Sequence, residues 1–312
     1  MIQQVKVFAP ATIANLGSGY DVLGIAIDEP GDIVIATRTR ERGLFFSVKT
    51  KNADVPREAT NNLAFYVAAL MLEEFKPSFG IKMMLHKKMP IGSGLGSSAA
   101  SSVASVVAVN ALLTKPIKKI ELLRFAVEGE RKATGSPHAD NAAPSLLGGA
   151  CLIRSYSPLD VIQLPIKKSA VWIVVHPHVI VETKMAREIL PKTIPLRSAI
   201  HQWGNISGIT YGLISGNAAL IGKCTEDIII EPVRKQLIPA FDEAKKSAMH
   251  NGAFGCSLSG SGPSMFAVTD SIPKAKKIAT AMKKTFLAIA NVRSESYISF
   301  INKEGAKILS AQ

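Results

Sequence analysis

The chain has 312 residues, 47% hydrophobic and 20% charged, an ordinary globular composition with enough apolar material for a sizeable core and room for two domains. Its three cysteines, Cys151, Cys224 and Cys256, lie too far apart for a zinc-type spacing or a disulfide framework and fit a reducing, cytoplasmic setting. The net charge of +13 raises nucleic acid as a partner, but much of the excess sits in "KAKKIATAMKK" (274–284), where Ile278, Ala281 and Met282 recur at helical spacing and no aromatics interleave, so the expectation is a solvated amphipathic helix and no nucleic-acid partner.

The first residues, "MIQQVKVFAP" (1–10), lack the basic start and apolar stretch of a targeting segment, and Val5 and Val7 alternate as in a strand. "DIVIATRT" (32–39) and "GLFFSVK" (43–49) read as further strands. Residues 61–75 carry Leu63, Val67, Leu70 and Met71 on one helical face. A strand over 81–86 leads into "IGSGLGSSAASSVASVVAVN" (91–110), and a second helix is expected over about 117–132. The polar loop "GSPHADNAAPSLLGG" (135–149) follows.

Beyond Cys151 the pattern changes. "DVIQLPI" (160–166) and "AVWIVVHP" (170–177) are strands, 197–224 and 233–251 are helical, and "FGCSLSGSGPSMFAVT" (254–269) is a strand interrupted by glycines. The lysine-rich helix and a last strand at "SESYISFI" (294–301) complete the reading. Helices and strands mix without strict alternation, which favours an α+β fold over a doubly wound sheet. A domain boundary is expected near residue 155, giving units 1–155 and 156–312.

The glycine loop is open to three readings. The uncharged run from Ile91 to Thr114 is long enough for a membrane span, but six serines between Ser93 and Ser105 suit a small-residue helix in a soluble core, so no membrane is expected. The glycines are spaced G-x-G-x-G, with Ser97 where a dinucleotide fingerprint needs its third glycine, and that reading fails. What remains is an anion cradle ending at a helix N-terminus, or simply a glycine turn before a buried helix. No Gly-Lys-Ser/Thr follows, so the cation must come from a metal or from a lysine such as Lys87 or Lys88.

Two further stretches break the tie. "PIGSGLGSSAAS" (90–101) resembles the second motif of the GHMP kinases, "SLSGSGPS" (257–264) the third, and "PATIANLGSGYDVLG" (10–24) the first. Within that family "PHADNAAPSLLGG" (137–149), "VETKMAREILP" (181–191) and "IEPVRKQLIP" (230–239) are similar to the branch that phosphorylates homoserine. The resemblance runs from Ala9 to Phe266; Ile13 and Tyr20 depart from it, where serine and phenylalanine are usual. It implies a two-domain GHMP kinase fold, with an N-terminal domain like domain 2 of ribosomal protein S5 and a ferredoxin-like C-terminal domain.

The resemblance also implies roles. ATP and Mg²⁺ would be the cofactors, L-homoserine of threonine biosynthesis the substrate, and a homodimer the assembly. Backbone amides of Pro90, Ile91, Gly92, Ser93, Gly94 and Leu95, then of Gly96, Ser97, Ser98, Ala99 and Ala100, would cradle the triphosphate, with Asn62 on the adenine side. Ser98 and Glu130 would hold Mg²⁺, as hard oxygen donors suit that ion. The substrate is a zwitterion. Arg187 and Arg234 are candidates for its carboxylate, since a guanidinium grips a carboxylate with two parallel bonds. Asn15, Asp21 and Asp140 offer acceptors to its ammonium. His138 can hydrogen-bond the substrate, Thr183 lies one turn before Arg187, and Gly260 permits close backbone approach. Asp140 and Asn141 occupy the loop where some family members carry a basic aspartate. An amide is no base, so the expectation is that no strong base acts and the phosphate takes the proton. Other GHMP kinases, acting on mevalonate or shikimate, are the nearest alternative.

Overall fold

The computed structural model describes residues 2–50, 55, 58–167 and 169–312. Its strands are β1 (Gln4–Ala14), β2 (Leu23–Thr39), β3 (Leu44–Thr50), β4 (Gly80–Lys87), β5 (Ala150–Tyr156), β6 (Leu159–Leu164), β7 (Val171–Pro177), β8 (Gly255–Leu258), β9 (Met265–Thr269), β10 (Ser294–Ser299) and β11 (Lys307–Ala311). The helices are α1 (Leu63–Phe75), α2 (Ser97–Leu112), α3 (Leu123–Thr134), α4 (Ala142–Leu147), α5 (Thr183–Glu188), α6 (Leu196–Ser215), α7 (Ala218–Cys224), α8 (Glu231–Arg234), α9 (Phe241–His250) and α10 (Ile272–Ala290).

The first sheet runs β11-β1-β2-β4-β3, and the start of β2 also pairs with β5, which pairs with β6. β3 and β4 are parallel because α1 crosses over between them, as a parallel pair requires. Against this sheet lies α2, buried on nearly every side. Its alanines, serines and valines let it approach β1, β2, α1 and α3 closely, and Ser105 returns its hydroxyl to Ser101 O at 2.9 Å. That explains a charge-free helix inside a folded core. Among the described residues no helix is long and apolar enough to cross a membrane.

The second sheet has the order β10-β7-β9-β8 with every pair antiparallel, the arrangement expected of a ferredoxin-like unit. One face is covered by α9 and α10, where Phe241, Ile278, Met282 and Phe286 are buried. The apolar stripe foreseen in the lysine-rich segment is therefore the inner face of α10. On the other face Trp172, Val174, Phe266 and Val268 join Ile209, Leu213 and Ile221 of α6 and α7 in the core of the first sheet. The two sheets thus share apolar packing.

Several sequence expectations shift. The strand expected over 32–39 begins at Leu23. The helical stretch over 197–224 breaks at Gly216, which is left-handed with φ 80° and caps α6. A boundary at 155 would fall inside β5 and split the β5–β6 hairpin, whose pairing runs on to Tyr156 and Leu159. β11, unread in the sequence, pairs with β1. We place the passage between the sheets after Leu164, with the chain end returning to the first.

Candidate active site

Three glycine-bearing loops meet at the junction of the two sheets. The loop between β1 and β2 touches the loop between β8 and β9: Asn15 Nδ2 donates to Gly260 O at 3.0 Å and Gly260 N to Ala14 O at 3.2 Å. The loop before α2 is tied to both. Thr12 N donates to Leu95 O at 3.0 Å and Ser264 N to Ser93 O at 3.2 Å, while Ser259 Oγ donates to Gly94 O at 2.7 Å. Contact is too close for side chains: a Cβ on Gly94 would sit 2.4 Å from Ser259 O. Gly92, Gly94 and Gly96 all have positive φ, at 62°, 74° and 64°, a region glycine enters freely. The loops enclose a cavity of about 480 Å³, also bordered by α3 and α5.

At one end of the cavity lies the N-terminus of α2. Ala100 N is bonded to Gly96 O at 2.9 Å, so the helical ladder starts there and the three preceding amides stand outside it. Gly92, Gly94, Gly96, Ser97, Ser98, Ile91 and Ser93 border the cavity, and Ser93 Oγ is buried without a partner among the described residues. Leu95, Ala99 and Ala100 have no exposed surface; their side chains belong to the core, and neither they nor Pro90 borders the cavity. Of the candidate cradle, Ala100 therefore has its amide committed to the helix. Asn62 caps α1, its side chain accepting from Ala64 N at 3.0 Å, and still borders the cavity.

Lys87 is not a free cation for a ligand. Its ammonium pairs with Asp32 and donates to Ser97 O at 2.6 Å and Ser101 Oγ at 2.8 Å, all buried. Asp32 Oδ1 also accepts from the amides of Lys88 and Met89, at 2.9 and 3.2 Å. This network braces the glycine loop against β2 and the first turn of α2. Ser98 Oγ donates to Glu130 Oε1 at 2.8 Å. Burial pushes the Glu130 carboxyl up to about 7, against the lowering effects of the Ser98 bond and of Lys87. A buried acid that bonds no cation among the described residues, beside a hydroxyl at the cavity wall, fits a hard divalent ion such as Mg²⁺.

The other end is built for charges of both signs. Arg187 donates from both terminal nitrogens to Asp21, at 2.8 and 2.9 Å. Arg234 is 2% exposed; it donates to Ala186 O at 2.9 Å and Gly260 O at 3.1 Å. The Tyr20 ring lies 5.3 Å from the Arg187 guanidinium carbon and 5.1 Å from that of Arg234, a cation–π contact with each. Nδ1 of His138 is 3.4 Å from Arg187 Nη2, and its buried Nε2 has no partner among the described residues. Burial above all lowers the His138 pKa, so the ring is neutral near pH 7.

Asp140 is buried, and its carboxyl rises to about 7 through burial first, then the charges of Asp21 and Glu130. Ligand atoms of Asp21, His138 and Asp140 lie within 4.8 Å of one another. Because Arg187 already sits on Asp21, this cluster suits an organic ammonium better than a metal. Asn15 serves the loop itself: beyond Gly260, its Oδ1 accepts from Asp21 N at 3.1 Å. Asn141 Oδ1 accepts from Thr12 Oγ1 at 2.6 Å, which leaves its amide nitrogen for the cavity. Thr183 Oγ1 lies 3.4 Å from Ser261 Oγ, and Thr183, Arg187 and Gly260 all border the cavity.

Sequence reasoning passed over Thr12, Asp32, Ser101, Tyr156 and Ser261. Thr12, Ser101 and Ser261 lie within the quoted motifs, and Asp32 carried a signal of its own, as a charge at the start of a strand read as apolar.

An amide-lined helix end and an acid suited to a metal, sharing one cavity with paired opposite charges, define a small-molecule phosphotransferase. Residues 62–149 match the N-terminal domain of the GHMP kinases and 209–288 their C-terminal domain. A homoserine kinase of Chlorobium phaeobacteroides is 43% identical over 99% of this chain and 100% of that protein. The crystal structure of homoserine kinase from Cytophaga hutchinsonii superposes with a TM-score of 0.94 at 48% identity, covering 99% of this chain and 98% of that one. A mevalonate kinase of L. major, at 16% identity and TM-score 0.72 over 96% and 95% of the two chains, shares the fold alone. The chain belongs to the homoserine kinases of the GHMP kinase family.

Proposed function

We propose that this chain transfers the γ-phosphoryl group of ATP to the side-chain hydroxyl of L-homoserine, giving O-phospho-L-homoserine for threonine biosynthesis. The observation that carries the reading is the single cavity that joins the α2 N-terminus to Asp21, Arg187, Arg234 and Asp140. The free amides and dipole of α2 hold the triphosphate, and Ser98 and Glu130 hold Mg²⁺. When bound, that ion supplies charge neutralisation on the phosphates. Arg234, a buried cation that donates to the carbonyls of Ala186 and Gly260, and Arg187 receive the α-carboxylate. Asp140, whose carboxyl is raised by burial and then by the Asp21 charge, shares the ammonium with Asp21, which relieves that repulsion. His138 offers its unpartnered ring nitrogen to the substrate. Thr183 and the Asn141 amide orient the hydroxyl, and its proton leaves with the transferred phosphate because Asp140 is engaged with the ammonium.

Mevalonate and shikimate carry a carboxylate but no ammonium, and would leave half-buried Asp21 and buried Asp140 without the cation they share. Coupled ADP release with Mg-ATP and homoserine, mevalonate or shikimate tests the reading: turnover is expected with homoserine, and preference for either of the others would overturn it.

Three free, buried cysteines suit a reducing cytoplasm. A homodimer is supported by α6, where Leu196, Ile200, Trp203 and Tyr211 are 66%, 56%, 58% and 65% exposed. They fall at helical spacing on one side of a helix with Arg197 as its sole acid or strong base, whereas a solvent-facing helix is ordinarily charged. Trp203→Glu is expected to shift the sedimentation coefficient to that of a monomer; an unchanged oligomer would remove this interface.

A further inference from the structure

Tyr156 ends β5, outside every glycine motif, and does not border the cavity. Its hydroxyl donates to the main-chain oxygen of Asp21 at 2.6 Å and accepts from the main-chain N–H of Ala139 at 3.3 Å. One phenol thus joins two segments distant in sequence: the loop that carries Asp21 and the segment that leads into Asp140.

The first of these needs holding. Asn15, Leu16 and Asp21 all have left-handed backbones, with φ of 71°, 47° and 59°. Non-glycine residues keep such conformations only where their surroundings impose them. The Asn15 side chain bonds Asp21 N from within the same loop and ties the start of the loop to Gly260 O, a residue that itself borders the cavity. Arg187 anchors the Asp21 carboxylate, but the substrate's carboxylate must compete for that guanidinium. Ser18 and Val22 are held by Cys224 O and Ile153 N, and Tyr156 is the anchor on Asp21 itself that lies outside the cavity.

We propose that Tyr156 is a positioning residue that sets the spacing of the Asp21 and Asp140 carboxylates and so tunes capture of the substrate's ammonium. The proposal rests on the homoserine reading of the acceptor pocket. Replacing the phenol by phenyl keeps the ring and its packing and removes the bond to each segment. The Asp21 carbonyl and the Ala139 amide then lose a partner at once.

Tyr156→Phe tests this in the full-length protein. The KM for homoserine is expected to rise about tenfold or more, with the KM for ATP within about twofold of wild type and kcat falling less than the homoserine KM rises. Hydrogen exchange in peptides spanning 15–23 and 137–141 should quicken, while peptides of α10 stay unchanged. An unchanged homoserine KM overturns the proposal. So does a parallel rise in both KM values with faster exchange everywhere, which would mark a general structural role. If wild type turned over no homoserine, the reading of the function would fall, and selective exchange at the two segments would alone decide the positioning role.

Discussion

Arg187 and Asp21, separated by 166 positions in the sequence, meet in a two-pronged ion pair at 2.8 and 2.9 Å. This internal pair carries the same two signs of charge as an amino acid's ends. A zwitterion entering the cavity can give its carboxylate to Arg187 and its ammonium to Asp21, exchanging one matched pair for two. A substrate with only one charge breaks the pair and compensates half of it.

Homoserine analogues lacking either the amino group or the carboxylate should therefore lose at least about a hundredfold in kcat/KM, whichever group is missing. Arg187→Lys keeps the charge but not the fork, and should raise the homoserine KM about tenfold with the ATP KM unchanged. Steady-state kinetics with both substrates varied checks each outcome. Equal turnover of the deaminated analogue would remove Asp21 from recognition.

Glu130 links metal, proton and stability. Its pKa in the fold, about 7 against an ordinary 4.5, means that the folded state binds this proton more tightly than the unfolded chain. Stability from this group is greatest below about pH 4.5 and is lost as pH rises to about 7. Glu130→Gln should therefore be more stable than wild type at pH 8, by on the order of 1–3 kcal/mol, with the gap closing toward pH 4.5. Mg²⁺ competes with that proton, so it should raise the wild-type Tm more at pH 8 than at pH 5.5, and not in the variant. Urea unfolding and calorimetry at the two pH values read both effects.

Gly94 tests the contact between loops. A Cβ there would meet Ser259 O at 2.4 Å and Gly262 O at 2.7 Å, on a backbone with φ 74°. Gly94→Ala should cost about 2 kcal/mol or more and weaken nucleotide binding. Gly204, inside α6, has nothing among the described residues within 4 Å of an added Cβ; Gly204→Ala should stabilise by about 0.5–1 kcal/mol. Chemical denaturation of the two variants gives the comparison.

The buried Lys87–Asp32 pair should behave asymmetrically. Lys87→Met leaves an uncompensated carboxylate under the glycine loop and should destabilise by about 3–5 kcal/mol. Adding Asp32→Asn should recover part of that loss, because the stranded charge is then gone. Denaturation midpoints of the single and double variants decide this.

Much of the chemistry was legible in the chain. Gly92, Gly94 and Gly96 announce a backbone that must turn where side chains cannot go, and local sterics alone dictate that. The helical face of α10 follows from spacing for the same reason. Motif resemblance brought Asp21, Asp140, Arg187 and Arg234 to one pocket before any geometry. The limits were equally physical. Lys87, offered as a ligand for phosphate, is consumed by Asp32, 55 residues earlier, and β11 finds its partner in β1 at the opposite end of the chain. Asn62 proved a helix cap as well as a cavity wall, since cap and pocket coincide at one spot.

The sequence by itself determined which residue types were on hand: a lysine-free glycine turn, buried-helix composition, and acids and arginines sufficient for a zwitterion. Only the tertiary structure decided which charges are spent on one another and which remain for a ligand. The reason is that ion pairing and burial depend on distances through space, and loop closure over 166 positions leaves no local imprint that spacing or periodicity could carry.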